Sequence, residues 1–348
     1  MTNENILKQC TIVLTRACNL RCNFCYVKNA GYDINDKINY NDLKRIVDFC
    51  CDSPIKYIFF TGGEPLLYPY ITDILQYIKY KKSSIITAVA TNGILLKNID
   101  FCKQLLDSGI GYIDISMKGH NSKEWKTITS YDGFLQQKEA IYNLSSLPIE
   151  FTCSMVITPE NVETFCDSVR IAHDNGAKQF SFTFFIDNNN LKDKNLSYLK
   201  KHNPFTLINN FLSHISQLNS ITKDWWIEYS FPMCIYTEEQ LSLLKGKLAT
   251  PCQIHMKNAI TFNTKMELLP CDMYINQKMG QLDKDFSSYC EFKEFTKLPS
   301  YKCTMNALRK LPSKICSSCQ YLKSCYGGCP VLWKNYSFET LHLLKNLK

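Results

Sequence analysis

Thr15-Arg16-Ala17-Cys18-Asn19-Leu20-Arg21-Cys22-Asn23-Phe24-Cys25-Tyr26 follows the apolar run Cys10-Thr11-Ile12-Val13-Leu14 and sets three cysteines at C-x3-C-x2-C spacing. Thiolates this close together make a metal site. A structural zinc site closes itself with four protein ligands, whereas three cysteines on a four-iron cube leave one iron open to another molecule. The β-rich run before the loop puts it at the carboxyl end of a strand, the face on which strand–helix barrels keep their active sites.

The same unit of strand, polar or glycine turn, and helix recurs along the chain. Strands read over 56–60, 85–90, 111–117, 149–157 and 179–185, and helices over 41–51, 99–108, 134–144 and 162–174. The first helix carries Leu43, Ile46, Val47 and Cys50 at i, i+3, i+4, i+7 spacing. The last is closed by Asn175-Gly176. With the run before the cysteine loop this makes six strands alternating with helices, which predicts parallel β/α architecture. The polar run 187–195 changes the character of the chain; beyond it 205–220 reads as helical and 225–229 as extended, outside the repeating pattern.

Composition bounds the function. The chain has 348 residues, 45% of them hydrophobic, enough for one large domain and a smaller one. Its apolar runs fall far short of the roughly 20 residues a membrane helix needs, and no secretory leader is visible before the first strand. A separate peptide-recognition domain before it is not expected. Eighteen cysteines without a leader predict a cytoplasmic, metal-binding protein rather than a disulfide framework. The net charge of +8 comes from dispersed lysines and is lowered by any thiolate-bound cluster, so no nucleic-acid partner is expected.

Cys18-Asn19-Leu20-Arg21-Cys22-Asn23-Phe24-Cys25 resembles the signature loop of radical S-adenosylmethionine (SAM) enzymes. The resemblance implies that Cys18, Cys22 and Cys25 hold a [4Fe–4S] cluster. Its open iron would bind the amino and carboxylate groups of SAM, and electron transfer would yield a 5′-deoxyadenosyl radical. It further implies a partial (β/α)6 barrel over residues 1–190. Gly62-Gly63-Glu64-Pro65, at the end of the second strand, resembles the family's GGE motif, which implies a hydrogen bond to the SAM ammonium. Read alone, the glycines let a backbone approach a ligand closely, or simply make a strand–helix turn. Phe24 and Tyr26 resemble family positions beside the adenine, with packing as the alternative. Asn92 and Ser116 stand at strand ends where they can bond a ribose hydroxyl or stabilise the turn and strand. Val156 and Asn161 stand where adenine contact is expected.

The distal cysteines, Cys252, Cys271 and then Cys316-x2-Cys319-x5-Cys325-x3-Cys329, resemble the SPASM extension of peptide-modifying radical SAM enzymes. That implies a small irregular iron–sulfur domain over 251–330, joined by a connecting segment 191–250 and followed by a tail 331–348. In the family pattern one auxiliary [4Fe–4S] cluster uses the positions of Cys252, Cys271 and Cys329. The other uses those of Cys316, Cys319, Cys325 and a cysteine further downstream, yet the 19 residues after Cys329 contain none. Three arrangements stay open. Cys290 or Cys303 substitutes, a cluster keeps an open iron, or one cluster forms on Cys252, Cys271, Cys316 and Cys319 as in the shortened TWITCH variant. Cys10, Cys50, Cys51, Cys102, Cys153 and Cys166 read as small core residues.

Asp272 follows Cys271 where some SPASM enzymes place a catalytic base, and a carboxylate shielded beside a cluster can accept a proton; the alternative is a solvated loop Asp. The function implied is modification of a ribosomally made precursor peptide, by thioether or other crosslink or by epimerisation. An electron donor such as flavodoxin or ferredoxin is expected, and no membrane. The alternatives are a formylglycine-generating sulfatase maturase, a dehydrogenase of a small alcohol, and an iron–sulfur electron carrier or scaffold. Thr61, where a close relative of that maturase has glutamine, argues against the first.

Overall fold

The computed structural model describes residues 7–186, 201–228, 231–249 and 252–345; the polar run 187–195, read as a change in the character of the chain, lies outside them. Seven strands run parallel and lie side by side in chain order: β1 (Gln9–Thr15), β2 (Tyr57–Gly62), β3 (Ile86–Thr91), β4 (Tyr112–Met117), β5 (Glu150–Ile157), β6 (Gln179–Phe184) and β7 (Trp225–Ile227). Parallel neighbours need crossovers, supplied by α1 (Tyr40–Cys51), α2 (Ile71–Lys81), α3 (Ile99–Ser108), the pair α4 (Ser122–Thr129) and α5 (Phe134–Ser145), and α6 (Phe165–Asp174). The result is the expected partial (β/α)6 barrel with a seventh strand on its last edge. The stretch read only as extended is that strand, fixed by pairing of Phe180 with Trp225 and Phe182 with Ile227.

Alternation along the strands separates two faces. On β4, Ile113, Ile115 and Met117 are buried under the helices, whereas Tyr112, Asp114 and Ser116 face the other way and keep some exposure. The interior of the half-closed barrel is thus polar along β4. Val162 does not begin α6; residues 161–164 form a turn before Phe165, because Asn161 turns back to accept from the Thr158 amide at 2.8 Å.

The cysteine-rich segment is hydrogen-bonded to this sheet. β8 (Ala259–Phe262) pairs parallel with β1, and β9 (Glu267–Leu269) and β10 (Gly280–Gln281) extend the edge antiparallel. Phe49 of α1 packs within 6.1 Å of the rings of Phe262, Phe286 and Phe292. Buried aromatic contacts of this kind supply large apolar area and hold the segment against the barrel's first unit.

Candidate active site

The cysteine loop leaves β1 through a bulge, where the register with β2 shifts between Val13 and Thr15. Gly62 and Gly63 lie against it. The Gly63 amide donates to the Thr15 carbonyl at 2.7 Å and the Glu64 amide to the Ala17 carbonyl at 2.8 Å. A Cβ on Gly62 would stand 2.3 Å from the Thr15 oxygen, and one on Gly63 2.2 Å from the Ala17 oxygen. These glycines therefore let two stretches of the chain's own backbone meet.

Cys22 is buried with Leu20, Ile94 and Trp125, and Cys18, Phe24 and Cys25 pack against that group. Burial pushes the Cys18 thiol up to about 12, and the charges of Cys22 and Cys25 add to the rise. Burial also raises Cys22, with the Lys118 ammonium opposing it. Three clustered thiols are a donor set fitted to a cationic metal centre, which deprotonates its thiol ligands. Tyr32 hydrogen-bonds Cys25, and the Arg21 guanidinium lies 4.3 Å over the Tyr32 ring.

Glu64 is 1% exposed. Its Oε1 accepts from Thr91 Oγ1 at 2.7 Å and the Leu66 amide at 3.0 Å, and its Oε2 from the Asn92 amide at 2.8 Å. Burial raises its carboxyl, while these donors act in the opposite direction. Pro65 opens the single turn that Glu64 caps. Glu64→Ala leaves three buried donors without an acceptor, so unfolding in denaturant should show a loss of about 3 kcal/mol or more; a loss within about 0.5 kcal/mol would contradict this role.

Asn92 donates to Asn19 of the cysteine loop at 2.8 Å, and its Oδ1 accepts from the Ile94 amide at 3.0 Å. Ser116 Oγ accepts from Lys118 Nζ at 2.6 Å. Asn161 bonds the Val156 carbonyl at 2.8 Å besides the Thr158 amide, while Val156 itself stays partly exposed. Asn92 and Asn161 thus both stabilise turns at the strand ends. Sequence reasoning passed over Lys118, which is 5% exposed and lies 5.1 Å over the Phe24 ring. It brings a buried positive charge to Cys22 and Glu64. Asp114 is a second omission. Burial pushes its carboxyl up to about 6, a bond with Ser154 opposes the rise, and its Oδ1 has no hydrogen-bond partner.

The turn leaving β9 carries Cys271 and Asp272, and Asp272 hydrogen-bonds Tyr26, the residue after Cys25. Tyr26 also bonds Thr61, at the end of β2. Asp272 is half-buried there: burial raises its carboxyl, while its own amide, Tyr26 and the Met273 amide act against the rise. Behind it, Cys252, Cys271 and Cys329 form one group, packed about Ile254, Tyr274, Met305 and Val331. Cys316 and Cys319 are partly exposed and near Cys325 in a second group. Cys290 instead lines a surface cavity with Asp285 and Phe295, and Cys303 is exposed on the helix Pro299–Leu308. The six thiols assigned to the core are buried, except Cys51, which is partly so.

Residues 12–172 match the model of the radical SAM superfamily. GTP 3′,8-cyclase of Campylobacter jejuni subsp. jejuni serotype O:6 is 36% identical over 124 residues, covering 35% of this chain and 38% of that protein. The subtilosin biosynthesis protein AlbA of Bacillus subtilis (strain 168) is 28% identical over 184 residues, 51% of this chain and 39% of AlbA. The chain thus spans about two fifths of the length of the curated relatives it matches. Among solved structures, Streptococcus suis SuiB bound to precursor peptide SuiA aligns over 96% of this chain and 74% of its own, with TM-score 0.69 and 20% identity. AnSMEcpe with bound AdoMet and Kp18Cys peptide aligns over 96% and 91%, with TM-score 0.67 and 16% identity. These two likenesses establish the fold. With the cysteine loop, the GGE turn and the barrel in place, residues 12–172 are a radical SAM domain, whose cofactors are SAM and a [4Fe–4S] cluster.

Proposed function

We propose that this chain is an enzyme that uses SAM cleavage to modify a ribosomally made peptide, with its distal cysteines holding auxiliary clusters. The observation that carries the reading is the contact of Asp272 with Tyr26, which joins the distal cysteine region to the cysteine loop at one end of the barrel. SuiB and anSMEcpe, which share the fold, have been seen with peptides bound. When bound, the cluster and SAM would supply one-electron chemistry able to take hydrogen from an unactivated carbon of the substrate.

Cys18, Cys22 and Cys25 are the thiolates assigned to that cluster. Glu64 has about four acceptor positions on its carboxylate; three are taken by protein donors, and the fourth suits the SAM ammonium. Lys118 and Phe24 bound the same space, and the polar β4 face offers hydrogen-bond partners along it. Asp272 would accept a proton lost by the substrate, and Cys252, Cys271 and Cys329, which lie beside it, would hold a cluster able to accept an electron. A soluble donor such as flavodoxin or ferredoxin and a reducing compartment fit the eighteen unpaired thiols. Among the described residues no helix is long and apolar enough to cross a membrane.

The test is anaerobic co-expression with small peptides encoded beside the gene, read as a peptide mass shift. Asp272→Asn should block the shift while SAM is still cleaved to 5′-deoxyadenosine. Because burial raises Asp272, its deprotonated fraction, and with it product formation, should climb with pH above the ordinary carboxylate range. The asparagine variant should lack that limb, and full modification by it would remove Asp272 from the mechanism. The partial identity to GTP 3′,8-cyclases favours a nucleotide as second reading; conversion of GTP in the same assay would establish it.

A further inference from the structure

We propose that Cys234 is the fourth thiolate of the auxiliary cluster otherwise held by Cys316, Cys319 and Cys325. This rests on the reading of the distal cysteines as cluster ligands, and it supplies the ligand that the sequence after Cys329 lacks.

Position is the first argument. Cys234 lies in the short turn Met233–Ile235, capped by Pro232, more than 80 residues before the cysteines it joins. The turn is seated on their loop. The Met233 amide donates to Cys325 Sγ at 3.3 Å, and Ser324 Oγ lies 3.9 Å from the Met233 sulfur. A Cβ on Gly328 would stand 2.7 Å from the Pro232 nitrogen, so the two segments meet at a position only glycine allows. Tyr321 donates to Glu238 at 2.6 Å, tying down the chain on the far side of Cys234.

The neighbours of Cys234 agree with this placement. The ionisable groups that act on Cys234 are Cys325, Cys316 and Cys319. Four thiols brought together in this way form a donor set for a cation, which deprotonates its thiol ligands. Cys234 is solvent-exposed and Cys316 and Cys319 partly so, which places this group at the protein surface. Cys252, Cys271 and Cys329 form a separate, more buried set beside Asp272.

Two consequences follow. A cube held by four thiolates has no iron free for substrate, so the open position passes to the Cys252, Cys271 and Cys329 set, where Asp272 stands. The surface cube also fastens the chain after β7 to the carboxyl-terminal loop, closing a long segment as a metal clip does.

The test is alkylation of the iron-loaded protein by iodoacetamide without oxygen, read cysteine by cysteine by mass spectrometry. Cys234, Cys316, Cys319 and Cys325 should stay unlabelled while exposed Cys290 and Cys303 react, and all four should become labelled once a chelator strips the iron. Labelling of Cys234 with the other three still protected overturns the proposal alone. Labelling of all four in the loaded protein overturns the auxiliary-cluster reading itself. Wild-type protein suffices, so the result does not depend on a variant folding. In the Cys18/Cys22/Cys25→Ala background, Cys234→Ser should in addition shift the electron paramagnetic resonance signal of one reduced cluster or remove about four irons. Unchanged iron and an unchanged signal would overturn the assignment.

Discussion

Replacing Cys18, Cys22 and Cys25 together by alanine should abolish formation of 5′-deoxyadenosine and lower the iron content by about four per chain. Three thiols on one loop, one buried and two half-buried in an apolar group with Leu20, Ile94 and Trp125, are the only ligands the loop offers. Each substitution removes one sulfur, a smaller loss than the large-to-small core changes that cost about 2–5 kcal/mol. The fold should therefore survive, held by the sheet that runs through β1 and β2, and circular dichroism should match the wild type. The remaining iron, in the auxiliary sites, provides an internal control for assembly. SAM cleavage at the wild-type rate in a folded triple variant would remove the loop from the chemistry. Loss of cleavage with auxiliary iron retained separates an enzyme that needs SAM from an electron carrier, for which this loop would be dispensable.

The strand ends that frame the site were legible because each depends on local pattern. Apolar runs ending in Thr61-Gly62-Gly63, Thr91-Asn92-Gly93 and Lys118-Gly119 mark where strand gives way to turn, and the structure ends β2, β3 and β4 there. What was not legible depends on groups far apart in the chain. Trp225-Trp226-Ile227 is too short for a period, and only pairing with β6 makes it a strand. Lys118 reads as a solvated turn residue until Ser116 and Phe24 enclose it. Cys234 stands alone in Met233-Cys234-Ile235, with no spacing to a second cysteine, whereas Cys290 and Cys303 lie between recognised ligands. A cysteine following a proline turn, in a chain whose cysteine pattern is one short, was the available signal.

Gly63→Ala should be as damaging as loss of the cysteines, for a reason unconnected with any ligand. The new methyl would meet the Ala17 carbonyl oxygen at 2.2 Å, the Ala17 carbonyl carbon at 2.7 Å and the Arg16 oxygen at 2.8 Å. All three are backbone atoms, so no side-chain rotation relieves the clash. Either β2 or the cysteine loop must move, and moving the loop breaks the bonds from the Gly63 and Glu64 amides to Thr15 and Ala17. Overpacking a rigid site costs about 1–3 kcal/mol, and two lost buried backbone bonds add about 1 kcal/mol each. The loop bearing Cys18 would then no longer be held at the end of β1. The expected result is a lower unfolding midpoint together with loss of about four irons and of SAM cleavage. Gly246→Ala is the control: that glycine has φ +77° but nothing within 4 Å of a new Cβ. It carries only the backbone strain of about 1–2 kcal/mol, so iron content and cleavage should persist. Gly63→Ala with a full cluster and normal cleavage would mean that the close approach of the two backbones is not what sets the loop.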